Sequence, residues 1–353
     1  MKGIITIMEI GSEYWKYEGN LECDNSKFWN IGKDTKFLLS GRTAIYYVLK
    51  NILLENTVQK AYFPSYSCHS MSNPFEDLGI EIEYYDVYYN NGLKYNINLD
   101  EECDIFFAMN YFGYSSTNME QYIKYFKEKG KIVIEDITHS ILSEKRYSEY
   151  SDYLIGSLRK WFPIASGAIA VNMSTNFLLE TKKDSNENMI ITKQKAMQMK
   201  KDYIKNNFGK KEDFLEKYTK SNKMLEEDYK DYSIDEESLK IIMKMNLQSI
   251  IKQRKENVKV IYEKLQKKED IQFLINDFNE NDVLLFVPIM LEKDKRNSLR
   301  KYLIENEIYL PIHWPLENKL NNIIDNELSL ICDQRYSKNE IAEYIDKMLE
   351  GNK

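Results

Sequence analysis

The sequence predicts an α/β fold: a large domain with a mainly parallel central sheet flanked by helices, followed by a smaller C-terminal α+β domain. Two observations point there. From about Phe37 to Val171, short apolar runs alternate with amphipathic stretches, the pattern of strands and helices wound into one sheet. Beyond about Asn172 the chain turns highly charged and helix-favouring, with no proline as far as roughly Lys268, before short apolar runs return in "VLLFVPIML" and "IYLPIHWP".

Each element follows from local chemistry. "SGRTAIYYVLKNIL" (Ser40 to Leu53) reads as a helix opening behind Ser40 and Gly41, with Ala44, Tyr47, Val48 and the following leucines on one face. "KAYFPSYS" reads as a strand broken by Pro64, and Ile80 to Val87, Cys103 to Gly113 and Lys131 to Asp136 read as strands ending in polar or small residues. Such strand ends are where open α/β sheets bind ligands. A long helical segment over Ser238 to Leu265, apolar at every third or fourth position, is expected to link the domains. The expected division is therefore residues 1–237 as the large domain and 238–353 as linking helix and small domain, closed by an amphipathic helix from Lys338 to Leu349.

Composition excludes several classes. At 353 residues the chain can bury one large core and a smaller one. No apolar stretch reaches the ~20 residues of a membrane-spanning helix. The start, "MKGIITIMEIGSEYWKYEGN", has neither a long apolar core nor a small-residue cleavage site, so a cytoplasmic location is expected, with no membrane partner. A net charge of -7, with Lys and Arg dispersed among Asp and Glu, offers no basic face for nucleic acid. Cys23, Cys68, Cys103 and Cys332 lie far apart without a C-x-x-C pair, so neither a structural metal nor a disulfide framework is expected.

The chemistry concentrates at two strand ends. "VIEDITHS" leaves a buried strand at Asp136, and a carboxylate there is costly unless it meets a cation or strong donor, although turn capping is an ordinary use of such an aspartate. Lys160 follows 24 positions later, just past the strand-like "DYLIGS". A lysine and a carboxylate at adjacent strand ends suit pyridoxal phosphate: the amine bonds its aldehyde, and the acid keeps the pyridine nitrogen protonated. The phosphate needs donors, which the N-terminus of the helix opened by "SGRTA" supplies through free N–H groups and its dipole, with Ser157 adding a hydroxyl. Singly these signals are weak, since Ser-Gly is a common cap and Ser-x-x-Lys recurs by chance.

Together they resemble the DegT-like, or StrS-like, sugar aminotransferases, which are fold type I pyridoxal phosphate enzymes. "LSGRTAI" is similar to that family's phosphate motif, "FPSYSCHS" to its proline-containing loop, "MNYFG" to a strand end, and "IEDITHS" to its aspartate motif. "GSLRKWFPIASGAIAV" falls at its lysine region, and "LPIHWP" and "CDQRYS" resemble its C-terminal signatures. The resemblance implies that Lys160 is the Schiff-base lysine and proton shuttle, Asp136 the partner of the pyridine nitrogen, and His139 a hydrogen-bonding partner of the ring's phenolic oxygen. It puts Gly41, Arg42, Thr43 and Ser157 around the phosphate, Cys68 where members usually stack an aromatic ring, and His313, Tyr66 and Asn110 on the substrate side. Two departures stand out: "DYSIDEES" lies about where many members carry an asparagine-tyrosine-arginine motif reaching the neighbouring subunit, and the glycine-rich turn after the lysine keeps only Gly167.

The function so implied is transfer of an amino group from an amino acid, glutamate being the expected donor, to a nucleotide-linked keto-sugar in amino-sugar or surface polysaccharide biosynthesis. The resemblance also implies a homodimer, for which Tyr84, Tyr85, Tyr88 and Tyr89 are interface candidates. The alternative is a catalytically degenerate homologue that binds the cofactor or a nucleotide-sugar in a regulatory or partner role.

Overall fold

The computed structural model describes residues 9–181, 186–314 and 322–352. Its centre is an eight-stranded sheet. In chain order the strands are β1 (Asp34–Leu38), β2 (Lys60–Pro64), β3 (Glu81–Tyr89), β4 (Leu93–Asn96), β5 (Ile105–Met109), β6 (Ile132–Asp136), β7 (Tyr153–Ser157) and β8 (Ala168–Asn172). They lie side by side as β1-β8-β7-β6-β5-β2-β3-β4. Pairings from β7 through β6, β5 and β2 to β3 are parallel, and β8 and β4 run antiparallel to their neighbours. The inner strands are largely apolar, as β5 (IFFAM) and β8 (AIAVN) illustrate, because the sheet is covered on both faces.

This topology brings the carboxyl ends of β2, β5, β6 and β7 to one edge. Asp136 ends β6 in register with Met109 of β5 and Ile155 of β7. Helix α1 (Gly41–Glu55) starts at the same edge, three residues after β1, and buries Ala44, Ile45, Tyr47, Val48 and Ile52. Ser40 caps it, accepting from the Thr43 N–H at 3.2 Å. Next come α2 (His69–Asp77), behind the loop that follows Pro64, and α3 (Glu120–Glu128).

A helical pair, α4 (Glu187–Asn206) and α5 (Lys211–Glu227), folds over this edge. Met189, Ile190, Met197, Phe214, Tyr218 and Leu225 pack there with Leu39 and Ala165. The segment Asp231 to Ser238 is tied to the same edge: Leu39 N–H donates to the Tyr232 carbonyl, and the Asp235 carboxylate accepts from Ser166 Oγ at 2.5 Å.

The single helix expected over Ser238 to Leu265 is two helices, α6 (Glu236–Lys244) and α7 (Leu247–Leu265). The break has a local cause. The Asn246 side chain accepts from the Ser249 N–H at 3.0 Å as a new N-cap, while Asn25 Nδ2 donates to the carbonyls of Ile242 and Met245 that end α6. Helical periodicity runs straight through this point, so only the cap marks it. Helix α7 packs on α9 (Lys338–Gly351). With α8 (Lys293–Glu305), these helices accompany a three-stranded antiparallel sheet of β9 (Gln272–Phe273), β10 (Phe286–Met290) and β11 (Glu327–Ile331).

The N-terminal segment crosses to this C-terminal part. Ile10–Gly11 pairs in parallel with Ile308–Tyr309, and the Arg335 guanidinium, held by Asp333, donates to the carbonyls of Gly11, Ser12 and Glu13. Of the tyrosines expected at an interface, Tyr85 is instead a core residue that donates to the Phe107 carbonyl. Its place on β3 faces it inward, where alternation along the strand leaves Tyr84 exposed.

The same alternation separates the last two residues of β6. Glu135 turns away from Asp136 and accepts from Asn110 Nδ2 at 2.8 Å, the Ser148 N–H at 2.9 Å and Ser151 Oγ at 2.6 Å. Burial nevertheless pushes its pKa from 4.5 up to about 7. A carboxyl raised by folding stabilises the fold below its unfolded pKa, and that contribution is lost as pH rises through the folded value. Between pH 4.5 and about 7 the loss amounts to roughly 3 kcal/mol at ~1.4 kcal/mol per unit. Glu135→Gln is expected to flatten this part of the stability profile, measured by chemical denaturation at a series of pH values. Asn246→Ala is expected to cost about 1 kcal/mol in the same assay, with Asn246→Asp restoring most of it.

Candidate active site

A cavity of about 330 Å³ lies beyond the ends of β6 and β7, lined by Gly41, Arg42, Cys68, Asp136, Ser157 and Lys160 among others. Two further cavities, of about 190 and 500 Å³, share Glu13, Arg159 and Lys160 with it, so the lysine stands where all of them meet. The start of α1 closes one side. A Cβ at Gly41 would come within 3.2 Å of Ser157 Cβ, so glycine lets the helix approach the end of β7 without crowding it.

Asp136 is buried, and its Oδ1 accepts from the Thr138 N–H at 2.7 Å. Burial pushes its pKa up, while the Thr138 hydrogen bond and the Lys160 ammonium pull the other way. Thr138 ties the two strand ends together. Its hydroxyl accepts from the Ser157 N–H at 2.9 Å, and its carbonyl accepts from Trp161 Nε1 at 2.6 Å. Lys160 ends a single tight turn, Leu158–Lys160, directly after β7. It is half-buried, and its ammonium lies 5.5 Å from the Trp314 ring centroid; among the described residues no hydrogen bond or ion pair engages it.

His139 is fully buried. Its Nδ1 accepts from the Phe112 N–H at 2.9 Å, which assigns the ring proton to Nε2, a buried donor with no partner among the described residues. Burial first, and then repulsion from Lys160 and His313, drives its pKa well below 6.5, so the ring is neutral. Trp314 stacks on it at 5.7 Å and 18°.

The remaining expected residues separate into those near the cavities and those away from them. Cys68 lines the first cavity at the start of α2, with its sulfur 3.0 Å from Ser70 Oγ. His313 lines the largest of the joined cavities, its N–H donating to Glu327 at 2.7 Å and its Nδ1 lying 2.9 Å from Ser329 Oγ. Thr43 does not face the cavity: its hydroxyl donates to the Tyr229 carbonyl at 2.7 Å and the side chain is fully buried, as its place one turn into α1 dictates. Asn110 is also turned away, bonded to Glu135 beside a separate cavity of about 400 Å³. Tyr66 is wholly buried among Tyr111, Phe112 and Trp314, one layer behind the cavities. The last proline of "LPIHWP", Pro315, lies outside the described residues.

Five residues join the site that sequence reasoning missed: Glu13, Thr138, Arg159, Asn222 and Trp314. Arg159 and Thr138 carried a signal, being neighbours of Lys160 and Asp136. Glu13, Asn222 and Trp314 carried none, because crossing segments deliver them from far along the chain.

No family model matches the sequence, and no curated protein does. Solved structures do. An aminotransferase, TlmJ, from Streptoalloteichus hindustanus superposes with a TM-score of 0.63 at 12% identity, over 96% of this chain and 92% of the other. The sugar aminotransferase Spr1654 from Streptococcus pneumoniae, described as putative and solved in its PMP form, gives 0.62 at 14%, over 96% and 91%. DesV from S. venezuelae, in complex with a ketimine intermediate, gives 0.63 at 13%, over 93% and 88%. The chain therefore has the fold of the fold type I pyridoxal phosphate aminotransferases, across nearly its whole length.

Proposed function

We propose that this chain is a pyridoxal phosphate-dependent aminotransferase, carrying an amino group from an amino acid, glutamate first, to a keto-sugar linked to a nucleotide. The observation that carries this is the placing of the Asp136 carboxyl and the unpaired Lys160 amine on one cavity, with the glycine-opened start of α1 at its side. The similar Spr1654 has been solved in both PLP and PMP forms, which supports the same cofactor here. In the exchange the amino acid leaves as a 2-oxo acid and the sugar's carbonyl becomes an amine-bearing carbon.

The residues present fit the group. The N–H groups at the opening of α1, the Ser157 hydroxyl and the Arg42 guanidinium form an anion-binding end suited to a phosphate. His139 Nε2–H is an orphaned buried donor suited to an oxygen acceptor. When bound, pyridoxal phosphate supplies an aldehyde to the amine and a ring that withdraws electrons from the reacting carbon. Asp136 then holds a proton at the ring nitrogen, with Thr138 fixing the carboxyl's direction. Lys160 Nζ accepts and returns the proton of the reacting carbon as general base and acid. Trp314, with Tyr66 behind it, makes an apolar wall that limits water around Nζ.

The nucleotide-linked acceptor, the sugar-building pathway and a cytoplasmic location belong to the same proposal, as does a homodimer. Ile191, Phe208 and Leu215, exposed on and between α4 and α5 beside the site, are apolar surface a second copy would cover. One observation favours the alternative of a cofactor-binding homologue without turnover: the cavity carries Cys68 rather than an aromatic ring at the expected stacking position.

Added pyridoxal phosphate is expected to give a near-visible absorbance band that shifts with L-glutamate, and borohydride trapping is expected to leave a pyridoxyl group on Lys160 by peptide mass spectrometry. Lys160→Ala is expected to abolish the trapped product, and Asp136→Asn to lower turnover by at least ~10²-fold while leaving it in place. A wild-type protein that traps no cofactor would remove the proposal, and a band unmoved by any amino acid would favour the non-catalytic alternative.

A further inference from the structure

Arg159 is the least explained charged group at this site. It directly precedes Lys160 and lines the same three cavities, those of about 330, 190 and 500 Å³. Its Nε is buried without a hydrogen-bond partner among the described residues. Leaving a guanidinium N–H dry and unpaired is costly, and the usual resolution is a bound acceptor.

The surroundings narrow what that acceptor is. Glu13 is the nearby anion, and it is shared: Lys193, itself buried, pairs with it at 3.0 Å. Burial works to raise the Glu13 pKa, but Lys193 and then Arg159 outweigh it and hold the carboxyl down at about 2, so Glu13 stays ionised. Even so, Arg42, Arg159, Lys160 and Lys193, together with Arg254, Arg300 and Arg335 on the third cavity, outnumber the anions Glu13, Asp136, Glu226 and Asp333. An anion in addition to a phosphate is therefore accommodated. Arg42 lines only the cavity that contains the start of α1, which places it on the phosphate side. Arg159 lines that cavity too, and in addition the two that reach Tyr14 and His313, where Arg42 is absent.

Resting on the aminotransferase proposal above, we infer that Arg159 binds the α-carboxylate of the amino donor. In an α-amino acid one carbon separates the amine from the carboxylate, so a donor presenting its nitrogen where Lys160 Nζ stands keeps its carboxylate within the cavities that Arg159 and Lys160 line together. A guanidinium fork suits a carboxylate by two parallel hydrogen bonds, and an ammonium at the same place supplies only a point charge. Glu13 supplies negative charge that acts on the guanidinium when no donor is bound.

The test uses full-length protein loaded with pyridoxal phosphate, in wild-type, Arg159→Gln and Arg159→Lys forms. The readouts are cofactor trapped on Lys160, and spectral titration with α-methylglutamate, which binds without an α-hydrogen to lose, and with 4-aminobutyrate, which lacks the α-carboxylate. Arg159→Gln is expected to weaken α-methylglutamate binding tenfold or more and to leave 4-aminobutyrate within about twofold, with Arg159→Lys recovering part of the loss and trapping unchanged throughout. Equal α-methylglutamate binding in wild-type and both variants, with trapping intact, would overturn the assignment. So would loss of cofactor retention in the variants, which would make Arg159 a phosphate ligand. Absence of trapping in the wild type would instead bring down the aminotransferase proposal on which the assignment rests.

Discussion

The site depends on a carboxyl group held almost wholly out of solvent. Asp136 ends a buried strand and stands between parallel neighbours, so its charge has little water to stabilise it. What offsets that cost is local: one backbone N–H from Thr138 and the nearby Lys160 ammonium. Thr138 is consequently more than a spacer. The hydrogen bonds that run from it to Asp136, Ser157 and Trp161 fix the strand end bearing the acid relative to the turn bearing the amine.

Around that pair the fold assembles groups of opposite character. The start of α1 offers free N–H groups and a positive dipole end, and a side chain at Gly41 would crowd the adjoining strand. On the far side, aromatic and imidazole rings of Trp314, His139 and Phe112 pack closely and leave the amine facing an apolar surface. The N-terminal segment and the α4–α5 pair then add charge, bringing Glu13, Lys193 and Asn222 over the opening. Separate segments thus supply backbone donors, ionisable groups and balancing charges, and the hydrogen-bonded frame of the sheet holds them in register.

Glu135 and Asp136 illustrate how one peptide unit divides two tasks. Alternation sends the first to a polar pocket of Asn110, Ser148 and Ser151, where its role is structural, and the second to the cavity. Asn110, which the resemblance put on the substrate side, lies in the first of these environments, because a residue just past a strand can turn to either face and here its partner is Glu135.

Much of this was legible in the order of residues. The strands, the helix behind Ser40, the strand-end acid and the lysine past a second strand all follow from short-range patterns, since hydrophobic alternation, capping and turn chemistry act over a few residues. Periodicity could not locate the break at Asn246, where a side-chain cap competes with a helix that its neighbours favour. Nor could any local pattern indicate that Glu13 and Trp314 meet Lys160, because contacts between segments so far apart in the chain are set by how sheets and helices pack. Chemistry carried by neighbours in the chain was thus determined by the sequence itself, whereas the charge balance around Arg159 and the apolar wall beside the amine were decided by tertiary packing, which alone brings distant groups within reach of one another.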